Sequence, residues 1–202
     1  MPLQSKRTSH NRKINQRETI PRILIVCEGE RTEPDYFSAF RVTNAVIRGR
    51  GMNTLSLVHE AMRIRDLGGN FKQVWCVFDL DSFPEKNFDE AVRFAESENI
   101  KVAYSNEAFE LWYVLHFDYL QSASNREQYK ETLTKHLKKK YLKSDPDIYE
   151  LLISRQSVAI ANAKRLLNDL HPPHFTHAEK KPSTTVHELI IELNRLKSTQ
   201  RS

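Results

Sequence analysis

Two apolar runs constrain this chain more than any other feature: RILIVC at 22–27 and QVWCVF at 73–78. Each gives way at once to acidic residues, Glu28 after the first and Asp79 and Asp81 after the second. A continuous apolar run of this length, bounded in the first case by Pro21 and Gly29, suits a strand buried on both faces. Such strands belong to parallel sheets whose faces are covered by helices, so the sequence between them has to supply helices.

It does. Thr32 is placed to cap a helix with Glu33, Pro34 and Asp35 in its first turn and Tyr36, Phe37 and Phe40 at helical spacing. Residues 42–48 form a weaker strand candidate ended by Gly49 and Gly51. Asn53 or Thr54 caps a second helix with an apolar face of Leu55, Val58 and Met62, stopped by Gly68 and Gly69. A helix over 88–97 and a strand over 101–104 complete an alternation that predicts an α/β protein with a mostly parallel sheet flanked by helices. Beyond Ser105 the strand signals stop. NEAFELWYVLHFDYL, 106–120, reads as a largely buried helix that Asn106 could cap. Amphipathic helices are expected over 125–143 and 157–171, and a last one over 183–197 with Ser183 or Thr184 as its cap. The expected organisation is a flexible basic arm over 1–20, an α/β core over 21–120, and a helical C-terminal extension over 121–202 packed on that core.

At 202 residues the chain can hold one domain with a full core and a small appendage. No apolar run approaches the roughly 20 residues that span a bilayer. The basic first residues have no apolar stretch of a secretory signal, so a cytoplasmic protein with no membrane partner is expected. Cys27 and Cys76 lie inside the apolar runs and read as small buried hydrophobes. The net charge of +5 tilts the choice of partner toward polyanions.

Ligands of an open parallel sheet sit outside the carboxyl ends of its strands. If the first and third strands are neighbours, Glu28, Asp79 and Asp81 converge on one small volume. Converging carboxylates repel one another and raise each other's proton affinity unless a cation arrives. A hard divalent ion with oxygen ligands, Mg²⁺ or Mn²⁺, relieves the repulsion and would neutralise a phosphodiester during its displacement. Glu30, Glu33 and Asp35 fit the plainer role of helix-start or solvated turn acids. Glu110 stands among Phe109, Leu111 and Trp112, where a buried carboxylate needs a partner. His116, six residues on, lies about 120° from a common helical face with it; it is either a proton shuttle or a satisfied core histidine.

KHLKKKYLK at 135–143 is the sharpest basic cluster; Lys135, Lys138, Lys139, Lys140 and Lys143 could grip nucleic-acid phosphates or simply form a solvated face. His171, His174 and His177 invite a metal reading that the intervening prolines and missing acids weaken. In KPSTTVHELI the hydroxyls of Ser183 and Thr184 could receive a phosphate or merely cap a helix.

Taken together, VCEGERTEPDYF, VWCVFDLDSF, SNEAFELWYVLHF and KPSTTVHELI resemble the RloB-like family, whose members carry a Toprim-type catalytic core. The resemblance covers essentially the whole chain beyond the basic arm. It implies a catalytic glutamate at Glu28 and a metal-binding pair at Asp79 and Asp81, with Mg²⁺ or Mn²⁺ as cofactor. It also implies metal-dependent cleavage of nucleic acid in a restriction or phage-defence system of the abortive-infection kind, with an ABC- or SMC-type ATPase as partner. DNA, messenger RNA and transfer RNA all stay open as substrates, as does a homo-oligomer. The alternative is a catalytically silent nucleic-acid-binding or regulatory subunit whose acids hold Mg²⁺. A phosphatase-like use of DLDS, or a phospho-receiver site, fits the order of strands less well.

Overall fold

The computed structural model describes residues 22–80 and 84–200. Five strands form one sheet in the order β2-β1-β3-β4-β5: β1 Arg22–Cys27, β2 Ala45–Gly49, β3 Phe71–Asp79, β4 Lys101–Asn106 and β5 Ser183–Thr184. The first four are parallel, and β5 runs antiparallel beside β4. The expected α/β class with a mostly parallel sheet is what the chain adopts, in an arrangement consistent with a Toprim-like core.

Alternation along the strands sorts the core into two layers. Leu24, Val26, Val74, Cys76 and Phe78 face α2 (Thr54–Asp66) and α3 (Glu85–Ser97), while Ile23, Ile25, Cys27, Trp75 and Val77 face the other way. The second layer is shared with α1 (Thr32–Ser38) and the C-terminal helices: α4 Glu110–Val114, α5 Arg126–Leu137, α6 Ile148–Leu152, α7 Gln156–Arg165 and α8 Val186–Thr199. The two cysteines are buried one in each layer, as their apolar setting predicts. No helix among the described residues is long and apolar enough to cross a membrane. The expected basic arm lies outside the described residues.

Several local expectations shift. Asn53, not Thr54, caps α2, its side chain accepting from the Ser56 N–H at 3.0 Å. The buried face of that helix is Leu57, Val58 and Ala61, with Leu55 exposed. Thr32 is the first helical residue of α1, and its hydroxyl meets Ser144 at 3.2 Å rather than capping. The buried helix after β4 is short: its C-terminal Leu115 carbonyl accepts from Asn162 at 2.9 Å, and the chain turns away.

The helix expected over 125–143 stops at Leu137, because Lys138 takes a left-handed conformation (φ 54°, ψ 24°). The helix expected from Ser183 begins instead at Val186, and Ser183 and Thr184 become a strand. Thr184 Oγ1 donates to Tyr104 O at 2.8 Å, and Thr185 Oγ1 both accepts from Tyr104 N and donates to Val102 O. The Thr184 and Thr185 hydroxyls thus help close the edge of the sheet, while Ser183 and Thr184 are both fully buried. Asn106 ends β4 instead of capping a helix; its amide donates to the carbonyls of His177 and Lys180 at 2.8 and 2.9 Å.

Candidate active site

Because β1 and β3 are hydrogen-bonded neighbours, with Cys27 opposite Val77, their carboxyl ends emerge side by side. Glu28 extends the ladder one residue past β1, its N–H donating to Val77 O at 2.8 Å while its own carbonyl accepts from Gly51 N at 2.8 Å. The backbone is thus held from both sides, and the side chain turns to β3: Glu28 Oε2 accepts from the Asp79 N–H at 3.3 Å. Asp79 is the last residue of β3 and is buried. Its Oδ2 accepts from the Phe109 N–H at 3.0 Å, which docks the start of α4 onto the end of β3 and sets Glu110 next to the same point.

Two groups that sequence reasoning passed over complete the constellation. The first is Glu33, expected to be a helix-start or solvated turn acid; it does stand in the first turn of α1, but not in solvent. Its side chain is folded over Gly29 and only 8% of the residue is exposed. A Cβ on Gly29 would sit 2.7 Å from Glu33 Cδ, so the glycine after Glu28 is what leaves room for this carboxylate. One of its oxygens, Oε2, is buried without a hydrogen bond. Packing holds it there: Tyr36 and Phe37, on the same helix, lie edge-on to Tyr113 and Phe109 with ring centroids 5.2 and 5.7 Å apart. The Tyr36 hydroxyl also accepts from Trp112 Nε1 at 3.0 Å, tying α1 to α4.

The second is Arg126, the first residue of α5, whose start is fixed by a capping box between Asn125 and Gln128. Its Nη2 lies 3.5 Å from Asp79 Oδ2 and its Nε 3.9 Å from Glu110 Oε2. The Asn-x-x-Gln box was legible in the sequence as a helix start; which acids the next residue would face was not.

Burial, then the nearby charges of Glu33 and Glu110, push the Asp79 carboxyl well above its ordinary range, against the Phe109 N–H and Arg126, which favour ionisation. Burial is also the main cause raising Glu33, opposed by its own backbone hydrogen bond and by Lys143 and reinforced by Glu110. Glu28, Glu33, Asp79 and Glu110 therefore lie toward one end of the sheet, with Arg126 and Lys143 the cations that act on them.

Of the other sequence-derived candidates, Glu110 belongs to this cluster, is 2% exposed and accepts from the Tyr141 hydroxyl at 3.4 Å. Asp81 lies outside the described residues. His116 turns into the core: Nδ1 meets the carbonyls of Trp112 and Tyr113 at 2.9 and 3.2 Å, the ring stands edge-on to Trp112, and burial pulls its pKa down to about 4. Its hydrogen bonds are with its own helical segment and none is with an acid of the cluster.

Lys135, Lys138, Lys139, Lys140 and Lys143 are exposed, but they occupy the last turn of α5 and the loop beyond it rather than one helix face. Lys139 pairs with Asp145 at 2.8 Å. Tyr141 turns inward to Glu110, and the contact between Ser144 and Thr32 draws this loop over α1, so that Lys143 acts on Glu33. His171 meets Pro182 O and His177 meets the Tyr104 hydroxyl, so the three histidines of that segment do not converge.

The chemistry of the donor set fits a hard divalent cation: oxygen ligands only, among them a buried carboxylate oxygen with no hydrogen bond. As the described side chains stand, no three His, Cys, Asp or Glu residues are grouped closely enough to hold a metal. Instead, a guanidinium stands between two of the acids.

The chain is an α/β protein with paired acids at the ends of adjacent parallel strands, the edge at which open sheets of this class bind ligands. Within that class, the chain belongs to the RloB-like protein family, whose model matches residues 23–193. Comparison with curated proteins and with solved structures gives no match.

Proposed function

We propose that the chain is a metal-dependent nuclease that hydrolyses phosphodiester bonds of DNA or RNA at the carboxyl ends of β1 and β3. The observation that carries this reading is the meeting of Glu28 with the Asp79 N–H at 3.3 Å, which brings two separate strand ends into one site. Glu28 and Asp79, with Asp81 two residues further along the sequence, would hold Mg²⁺ or Mn²⁺. When bound, the ion supplies charge neutralisation at the phosphodiester and an activated water.

The protein's own groups account for the remaining requirements. Glu33, whose proton affinity burial raises, is suited to give a proton to the departing oxygen. Glu28, partly exposed at the mouth, can take a proton or serve purely as a ligand. The exposed lysines of the loop after α5, with Lys143 nearest Glu33, offer positive charge where a polyanion would approach. Family membership supports two further parts of the proposal: a role in phage defence or restriction, and an ABC- or SMC-type ATPase that restrains or triggers cleavage.

The test is a cleavage assay on DNA, messenger RNA and transfer RNA with Mg²⁺ or Mn²⁺, with and without an ABC- or SMC-type ATPase. Glu28→Gln and Asp79→Asn are each expected to lower cleavage on the order of 10²- to 10⁴-fold. Cleavage that survives both substitutions removes this site. Binding of the substrates without any cleavage under these conditions would favour a silent nucleic-acid-binding module.

A further inference from the structure

Arg126 is the one described guanidinium standing among the acids, 3.5 Å from Asp79 Oδ2 and 3.9 Å from Glu110 Oε2. The side chain is 31% exposed, while those of Asp79 and Glu110 are 12% and 3% exposed. The cation thus has a route to solvent that its partners lack. Its backbone is pinned by the Asn125–Gln128 capping box, so a change of rotamer moves the charge without moving the helix. It also leaves Glu33 Oε2, more than nine-tenths buried, without a hydrogen bond.

We propose that Arg126 is the resident counter-cation of this acid cluster, which a divalent ion must displace, and that the released guanidinium then binds a phosphate of the substrate. This rests on the metal-dependent reading given above. One positive charge holds buried carboxylates together while the ion is away, since an unpaired buried charge is costly. A divalent ion brings twice the charge to oxygen ligands, and its arrival makes a neighbouring guanidinium repulsive there. Freed toward solvent, the guanidinium lies beside the point where the reacting phosphodiester would sit, and its forked donors match a phosphate. Metal and substrate binding are then positively coupled, and by linkage the coupling is mutual.

The experiment is a calorimetric titration of Mn²⁺ into the metal-free full chain, the parent beside Arg126→Gln and Arg126→Lys, followed by binding of a labelled single-stranded oligonucleotide in saturating Mn²⁺. Arg126→Gln is expected to bind Mn²⁺ tighter, by roughly 5- to 150-fold, the usual span of coupling between sites, and to bind the oligonucleotide more weakly. Arg126→Lys, which keeps a charge, should stay near the parent for Mn²⁺.

Unchanged or weaker Mn²⁺ binding by Arg126→Gln overturns the displacement. Tighter Mn²⁺ binding with undiminished oligonucleotide affinity overturns the handover to phosphate. Failure of every form, parent included, to bind Mn²⁺ overturns the metal-dependent reading itself, and this inference with it. Should Arg126→Gln not fold, nitrogen-15 NMR of the parent during a Mg²⁺ titration reads the same event, with Arg126→Lys used to assign the side-chain resonance. A stationary Arg126 Nε–H signal at saturating Mg²⁺ overturns the displacement.

Discussion

Gly29→Ala is the most direct way to disturb the site without touching a charged group. The added methyl would lie 2.7 Å from Glu33 Cδ and 2.9 Å from Oε1, and ordinary contact begins near 3.4 Å. The carboxylate must therefore retreat by at least about 0.7 Å, and further at its other oxygen. The obstacle is the free end of a flexible side chain. The charge that moves is one that burial and Glu110 already disfavour, so a swing toward solvent relieves as much as it disrupts. Stability should change by less than about 1 kcal/mol, which for a domain of this size is roughly 2–4 °C in melting temperature.

The effect on cleavage should be far larger, since a misplacement of about 1 Å in a catalytic constellation costs on the order of 10²-fold. The assay pairs thermal melting of the metal-free protein with Mn²⁺-dependent cleavage. Full cleavage with an unchanged melt would show that the position of Glu33 does not matter to the chemistry. A collapse of the melt would show that Gly29 is needed for folding rather than for clearing the carboxylate.

Asp79→Asn should stabilise the metal-free protein while abolishing cleavage, because Asn keeps an oxygen for the Phe109 N–H and removes a disfavoured charge. With the folded pKa raised above the ordinary value of 3.8, the parent's stability contribution from this group is complete below that value and is lost as pH rises through the folded pKa. The variant's advantage, about 1–2 kcal/mol at pH 8, should then vanish toward pH 4 in urea denaturation; an advantage that grows on acidification would refute this sign. Lys143→Ala, near Glu33, should weaken oligonucleotide binding and reduce the salt slope by about 1. Lys139→Ala, whose ammonium is engaged by Asp145, should do so less. Equal effects of the two would show that the loop offers only diffuse charge.

The opening strand and the long strand ending in Asp79 were legible because burial on both faces leaves a continuous apolar run, a signature carried by neighbouring residues alone. The same holds for the acids that follow them, and for helix starts such as Asn53 and Asn125, whose caps are made within three residues. Glu33 does stand in the first turn of a helix, as read, but its burial was not legible because that position is explained equally well by the helix dipole. Only the packing of α1 against α4 buries it over Gly29. β5 was missed because its two residues are a strand only by virtue of the β4 edge they bond.

By itself the sequence determined that acids would stand at the ends of buried parallel strands. Only the tertiary structure decided that β1 and β3 are neighbours, that Glu110 and Arg126 arrive at the same point, and that Tyr141 turns inward while its lysine neighbours face out. The physical reason is range: periodicity and capping are written in residues a few positions apart. Strand order and the pairing of charges such as Arg126 with Asp79, 47 residues apart, depend instead on which surfaces bury together, and no local pattern encodes that.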